Sequence, residues 1–367
     1  MMTVQEFIAA IADSLLPRLP ALLQAYWVLA SSAVLLTLLP LPIVPSAFKA
    51  AVKLAASRGK LWHDRPDAKA LGFLKDVSVP QQYFEHFYLV GSLVTTVLLQ
   101  VYIFVCTPDT DGSTLKRDSL LALFLFELHV LRRYGESNYV MHYPETARMH
   151  LLAYLFGLSY YVVAPLTLLP AFVMDVGVLR GAWDQALGGG KDLAGVDERL
   201  YAAVLAPHPG KYRLAGALAL YVFASILQFV SHLSLARMSR EASQRATEFA
   251  VVDAINKGNR AGVVGAIPTP AGVVDADGKP LTAKVVHLYE VPRGGVFNLV
   301  SCPHYLAEIL IYAALALVTS GSTGSLLMAG WVFLNLVLAA AATQRFYRTR
   351  YPNDYPKSRA ALIPFIL

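Results

Sequence analysis

Ionisable side chains inside apolar stretches are the first place to look for chemistry, because each is costly to bury in lipid and needs a partner, a wet cavity or a task. Four groups stand out. Within 118–134, Glu127 and His129 lie deepest, with Arg132 and Arg133 toward the end; His129 and Arg133 are i,i+4 and share a helix face. Within 212–236, Gln228 and His232 have the same spacing. The run SCPHYLAEILIY places His304 and Glu308 at i,i+4, with Tyr305 and Tyr312 on neighbouring turns. The segment VPQQYFEHFY carries Glu85 and His86 between aromatic residues, and its position fits an interfacial aromatic belt. Imidazole and carboxylate groups in such settings can polarise an oxygen or move a proton. They can equally be helix-to-helix hydrogen bonds or snorkelling ends.

These groups need elements to hold them. The chain has 367 residues, 56% hydrophobic and 15% charged, with a mean hydropathy of +0.49. Average soluble domains carry about 25% charged residues, so this is an all-α polytopic membrane protein. About seven stretches are long and apolar enough to cross a bilayer: 21–44, 83–107, 118–134, 149–174, 212–236, 303–321 and 324–344. Seven crossings put alternate loops on opposite sides and the two termini on opposite sides. One set of loops, with the tail from 345, holds 23 of the 31 Lys and Arg residues, so that set is expected in the cytoplasm with the C-terminus. The polar groups then gather toward the cytoplasmic half. That suits an intramembrane enzyme fed by a soluble cofactor, or a transporter.

The chain divides into membrane helices with a substrate cavity (1–236), a cytoplasmic loop with a variable insertion (237–302) and a C-terminal region (303–367). Cys106 and Cys302 fall at opposite ends of their spans and read as free thiols. No zinc motif, GxSxG or GxGxxG pattern occurs, and the GGGK at 188–191 lacks Walker spacing. Neither a metal nor a nucleic acid is implied. The tail RFYRTRYPNDYPKSRAALIPFIL is basic and aromatic but ends apolar, which predicts a fold back against the bundle.

That tail closely resembles the C-terminal signature of the steroid 5-alpha-reductase family through Phe346–Tyr347, Tyr355–Pro356–Lys357, Arg359 and Pro364–Phe365. The block before it matches the family through Tyr289, Pro292, Gly294, Gly295, Phe297 and Glu308. Within the family, VPQQYFEHFY at 79–88, LHVLRR at 128–133 and SCPHYLAE at 301–308 resemble the polyprenol (polyprenal) reductase branch.

The resemblance implies a seven-helix endoplasmic-reticulum enzyme with NADPH in a cavity open to the cytosol. A long-chain polyisoprenoid would be the substrate, in dolichol synthesis for protein N-glycosylation. Cofactor contacts carry over to Tyr289, His304, Glu308, Tyr347, Tyr355, Lys357 and Arg359, and to Gln228 and His232. There are two departures. Gln228 and His232 stand where steroid reductases have Asn and Asp, and Val130 stands where they have a catalytic tyrosine. A steroid or enoyl-CoA reductase, a membrane methyltransferase using S-adenosylmethionine, and a non-catalytic lipid-binding protein or transporter are the alternatives.

Hydride adds to a C=C bond readily only where the charge can delocalise, so the conjugated aldehyde is a better acceptor than the allylic alcohol. His86, Glu85 and His129 are expected to polarise and protonate, supported by Arg133. The isoprenoid would present its head through an opening lined by the second, third and sixth spans.

Overall fold

In the computed structural model, residues 13–56, 72–73, 76–106, 114–143, 147–170, 210–256, 267–269, 272–274 and 290–364 are described. The α-helices are α1 (Leu19–Leu38), α2 (Ser46–Ala56), α3 (Phe84–Cys106), α4 (Thr114–Gly135), α5 (Leu151–Thr167), α6 (Lys211–Asn256), α7 (Pro303–Val318) and α8 (Thr323–Arg350). All seven expected spans are helical, and α2 is an additional amphipathic helix after the first. Among the described residues four helices are long and apolar enough to cross a membrane, and α5 and α7 are shorter apolar helices. The fold is all-α and the protein is polytopic.

Local sequence sets where the helices begin. Pro303 opens α7 in its first turn, where a missing N–H costs nothing. Ser322 caps α8, its hydroxyl accepting from Ser325 N, and His150 Nδ1 caps α5 by accepting from Leu152 N at 3.1 Å. Two three-residue strands, β1 (Ser78–Pro80) and β2 (Arg148–His150), pair antiparallel with Val79 opposite Met149. This clip ties the starts of α3 and α5 together. The two helices then run in close contact, because a Cβ on Gly157 would stand 2.6 Å from the Phe87 ring and one on Gly91 2.7 Å from the Tyr161 ring. A second small hairpin pairs β3 (Ile267–Thr269) with β4 (Gly272–Val274).

Packing closes the bundle into a ring. α8 packs on α1, α1 on α5, α5 on α3, α3 on α4, α4 on α7 and α7 back on α8, while α6 lies along α7. Trp27, Tyr160 and Trp331 meet inside it, with Trp27 Nε1 donating to Thr167 Oγ1 at 2.9 Å. Leu29, Leu93 and Phe223 are among the large apolar side chains left exposed for lipid. At the start of α4 and α6, Arg213 bonds Asp118 at 2.7 Å and the last carbonyls of α7, fastening α4, α6 and α7.

Two details depart from the span boundaries. The fifth stretch is a 46-residue helix that continues to Asn256, about 69 Å long at 1.5 Å per residue and so longer than the ~30 Å hydrocarbon core of a bilayer. The third stretch continues past Gly135 as a π-helical turn, Glu136–Val140, which turns Glu136 and Ser137 inward so that both are buried.

Candidate active site

The charged residues of α4, α6 and α7 form one buried network. His129 is fully buried, its Nε2 3.3 Å from Glu308 Oε1, close enough for ion pairing although the angle is not that of a hydrogen bond. The Gln228 amide donates to the other oxygen of Glu308 and its carbonyl oxygen accepts from Arg132 at 2.5 Å. Arg132 and Arg133 each donate to one oxygen of Glu136. His232 Nδ1 lies 2.6 Å from both Glu136 Oε2 and Arg133 Nη1. That nitrogen can satisfy only one of them, donating to the carboxylate when protonated and accepting from the guanidinium when bare. The second Arg133 nitrogen donates to the Tyr88 hydroxyl at 2.8 Å.

Two arginines therefore face two glutamates, and the charges of these four side chains balance. That balance is what makes so much buried charge tolerable, since an unpaired buried ion would cost several kcal/mol. Glu136, beyond the membrane-spanning part of α4, shows the balance directly. Burial pushes its carboxyl up, but the His232 hydrogen bond and the Arg133, His232 and Arg132 charges together outweigh burial and hold it at about 2.

A cavity of about 800 Å³ opens onto this network. Its polar end is lined by Tyr88, Arg133, Gln228, His232, His304 and Glu308. Its apolar end is walled by Ala30 and Val34 of α1, Phe48 and Val52 of α2, Phe156 of α5 and Trp331 of α8. The isoprenoid opening was expected from the second, third and sixth spans. Those spans supply much of the polar end, and Phe84 and Phe87 of α3 join α1, α2, α5 and α8 in the apolar wall. The cause is the ring, which turns the inner faces of α4 and α7 toward each other and gives the chamber to the helices on the opposite side.

The C-terminal tail forms a second layer against the start of α7. Ser301 N and Cys302 N donate to the carbonyls of Ala360 and Ala361 at 3.0 and 3.2 Å, and Ala361 and Leu362 pack with Cys302 and Ala340. Tyr355 Oη is 2.5 Å from Ser301 Oγ, and its ring stacks on Tyr347 with centroids 6.0 Å apart. Arg359 is buried over the Tyr355 ring and donates from Nη1 to Pro292 O at 2.9 Å, while its Nε has no hydrogen-bond partner among the described residues. Gly294 and Gly295 have φ of 91° and 50°, in the left-handed region that favours glycine, and none of the described residues lies within 4 Å of where their Cβ atoms would be. An open backbone cradle thus sits beside a buried arginine.

Comparison with known proteins agrees with this architecture. The model of a family described as 3-oxo-5-alpha-steroid 4-dehydrogenase matches residues 279–367. Polyprenal reductase 1 of Arabidopsis thaliana is 30% identical over 94% of this chain and 98% of its own length. Polyprenal reductases of Homo sapiens and Caenorhabditis elegans are 27% and 28% identical, covering 94% and 80% of this chain and 95% and 81% of their own lengths. The chain belongs to the steroid 5-alpha-reductase family, in its polyprenal reductase branch.

Not all the residues singled out for this steroid 5-alpha-reductase homologue come together. Arg133, Gln228, His232, His304 and Glu308 line the cavity, and His129 stands directly behind Glu308. Tyr347, Tyr355 and Arg359 share the tail layer, and Lys357 is exposed on it. Tyr289 and Phe365 lie outside the described residues. His86 and Glu85 do not line the cavity. His86 Nδ1 is bonded to Tyr154 Oη at 2.9 Å, the Glu85–His86 separation is 3.8 Å, and both side chains are more than a third exposed. Rotation of α3 is the reason: Phe84, Phe87 and Tyr88 take the inward face, which leaves Glu85 and His86 on the flank. Glu127 also stays outside the network, accepting from Ser92 at 2.5 Å and Thr96 at 3.3 Å.

Two residues were missed from sequence. Tyr88 was absorbed into the aromatic belt, and Glu136 fell two positions beyond the span. Glu136 did carry a signal, since it is i+3 and i+4 from the two arginines it binds. Among the described residues no group of three or more His, Cys, Asp or Glu could hold a metal ion.

Proposed function

We propose that the protein reduces the α-isoprene double bond of a polyprenal, or of the corresponding polyprenol, with NADPH as hydride donor, in the endoplasmic-reticulum membrane with its C-terminus in the cytosol. The product would serve dolichol synthesis and protein N-glycosylation. One observation carries this reading: a single cavity is apolar at one end and charged at the other. It can hold an isoprenoid chain and present its polar head to the network.

Membership of a branch whose relatives are named polyprenal reductases supports the substrate class. The aldehyde is the preferred form, because its carbonyl can accept the charge that follows hydride addition. Long isoprenoids stay in the bilayer, so only the head and the first units need enter the chamber. In this reading 1–236 supplies the substrate cavity, 237–302 the cytoplasmic loop and 303–367 the cofactor side.

A phosphorylated dinucleotide fits the residues present. Arg359 Nε, without a hydrogen-bond partner among the described residues, the exposed Lys357 and the Gly295 N–H offer donors for phosphate oxygens beside the start of α7, Gly294 N–H being held by Asn298 Oδ1 at 2.9 Å. Tyr347 and Tyr355 complete that layer, and Tyr289, outside the described residues, is a further expected cofactor contact. When bound, the cofactor supplies hydride. The protein's own part is to hold the carbonyl at the polar end, where Arg133 provides positive charge next to the oxygen as negative charge develops. His129 is a positioning residue that fixes Glu308, and Glu308 with Gln228, His232 and His304 shapes the floor on which the nicotinamide end would rest. His86 and Glu85, off the cavity, receive no role in this scheme.

The test is a reduction assay on the purified protein in lipid, with NADPH and polyprenal, polyprenol or a 3-oxo-Δ4 steroid, products being weighed by mass spectrometry. A gain of two hydrogens on polyprenal is expected, with the alcohol unreduced. Turnover of the steroid alone would sink the isoprenoid reading.

A further inference from the structure

We infer that Tyr88 is a catalytic acid of this site: its phenol donates to the carbonyl oxygen of the bound aldehyde while Arg133 steadies the phenol oxygen. The inference rests on the proposed enal reduction and adds to it the group that activates the carbonyl.

Tyr88 is buried and lines the cavity where the apolar chamber meets the charged network. Its oxygen accepts from Arg133 Nη2 at 2.8 Å, and the guanidinium carbon lies 5.0 Å from its ring centroid. A phenol has one proton to give and lone pairs to receive. With a lone pair taken by Arg133, the proton is free to donate, and no acceptor for it occurs among the described residues. Among those residues, Tyr88 is the cavity phenol whose oxygen takes a hydrogen bond from a guanidinium. That bond matters because it strengthens as the phenol gives up its proton, so the cation stabilises the reacting state more than the resting one.

Arg133 is itself held in place by Glu136 and lies 2.6 Å from His232 Nδ1. Tyr161 packs edge-on against the Tyr88 ring, centroids 5.4 Å apart. The phenol is therefore fixed from both sides before any substrate arrives, which is the preorganisation that electrostatic catalysis needs. The histidines first considered for this task are less suitable. His86 is bonded to Tyr154 outside the cavity, and His129 is shielded behind Glu308.

The step balances. Hydride from the reduced nicotinamide proposed above forms a C–H bond at the β-carbon, the C=C π pair moves toward the carbonyl, and the Tyr88 proton passes to its oxygen to give an enol. A solvent proton then adds at the α-carbon as the enol hydroxyl proton returns to Tyr88. One hydride and one solvent proton have been added across the double bond, the nicotinamide is oxidised, the enal is reduced to the saturated aldehyde, and the tyrosine is unchanged.

The experiment pairs turnover with infrared spectroscopy on full-length protein in lipid. Tyr88→Phe is expected to lower kcat on polyprenal about 100-fold or more, with KM and NADPH affinity changed less than about threefold. Tyr88→His, which restores a hydrogen-bonding group, is expected to recover part of the rate. The second readout needs no turnover. A two-isoprene conjugated aldehyde, 13C-labelled at the carbonyl and bound with oxidised cofactor, should show its C=O stretch at lower frequency than in lipid alone, and Tyr88→Phe should remove that shift. A wild type that reduces polyprenal beside an equally fast Tyr88→Phe overturns the assignment and leaves the proposed function standing. So does a carbonyl shift that survives in Tyr88→Phe, or one absent from the wild type. A wild type that reduces no enal overturns the functional reading itself and the role of Tyr88 with it.

Discussion

Two glutamate–histidine pairs in this molecule have opposite fates. Glu85 and His86 are neighbours on one turn of α3, 3.8 Å apart, each more than a third exposed, with one further bond to Tyr154. Glu308 and His129 come from different helices, meet at 3.3 Å, and belong to a network that also engages Gln228, Arg132, Arg133, Glu136, His232 and Tyr88. The residue types are the same and so is the separation, to within half an ångström. What differs is the dielectric around them and the number of partners. An exposed pair gains little, about 0–1 kcal/mol, because water competes and screens. A buried pair depends on its neighbours, and losing one of them leaves a charge that nothing else solvates.

The comparison can be broken most forcefully at Arg133, which bonds Tyr88 and Glu136 and lies against His232. Arg133→Ala should destabilise the folded protein by about 3–5 kcal/mol, since it leaves two buried glutamates facing one arginine and takes the guanidinium from Glu136 Oε2. Thermal unfolding in detergent checks this, and a melting temperature within a degree or two of wild type would show that the network is not cooperative.

Next comes Glu308→Gln, which keeps the shape but removes the charge beside His129. Its activity should fall by about 100-fold, whereas Glu85→Gln should stay within about twofold of wild type. Steady-state rates on polyprenal measure both. Equal losses in the two variants would erase the distinction between the pairs.

A third test uses pH. The Glu136 carboxyl is held at about 2 in the folded protein, below the ordinary value near 4.3. The unfolded chain therefore binds more protons in between, and the stabilisation is fully present above the unfolded value and lost as pH falls through the folded one. The stability gap between wild type and Glu136→Gln should be constant from pH 8 to about 5, then narrow steadily toward pH 2. A gap that does not change with acidification would mean Glu136 is not held as an ion.

The smallest effect is expected at His86. His86→Ala removes one partly exposed hydrogen bond to Tyr154, a loss of about 1 kcal/mol or less, and should leave turnover within about twofold. A hundredfold loss would return His86 to the reaction and point to a movement of α3 on substrate binding.

Much of this was written locally in the chain. Hydropathy is a property of consecutive residues, so seven helical stretches, the membrane setting and the all-α class follow without tertiary information. The tail signature is likewise a matter of spacing, and it led to the family directly. The pairing of Gln228 and His232 on one face follows from i,i+4 geometry, as does that of His304 and Glu308.

Which polar residues share a cavity does not follow from any of this. A helix can be turned about its own axis without altering its sequence pattern, and in a lipid-facing bundle hydrophobicity does not fix that rotation, because apolar residues occupy both faces. Contact between α3 and α5 at Gly91 and Gly157 set the rotation of α3, bringing Tyr88 inward and leaving Glu85 and His86 on the flank. The π turn after α4 drew Glu136 back beneath the bundle. The sequence alone determined that this chain is a helical membrane protein of a reductase family; only packing between helices decided which of its charged groups meet, because that depends on distances between residues far apart in the chain.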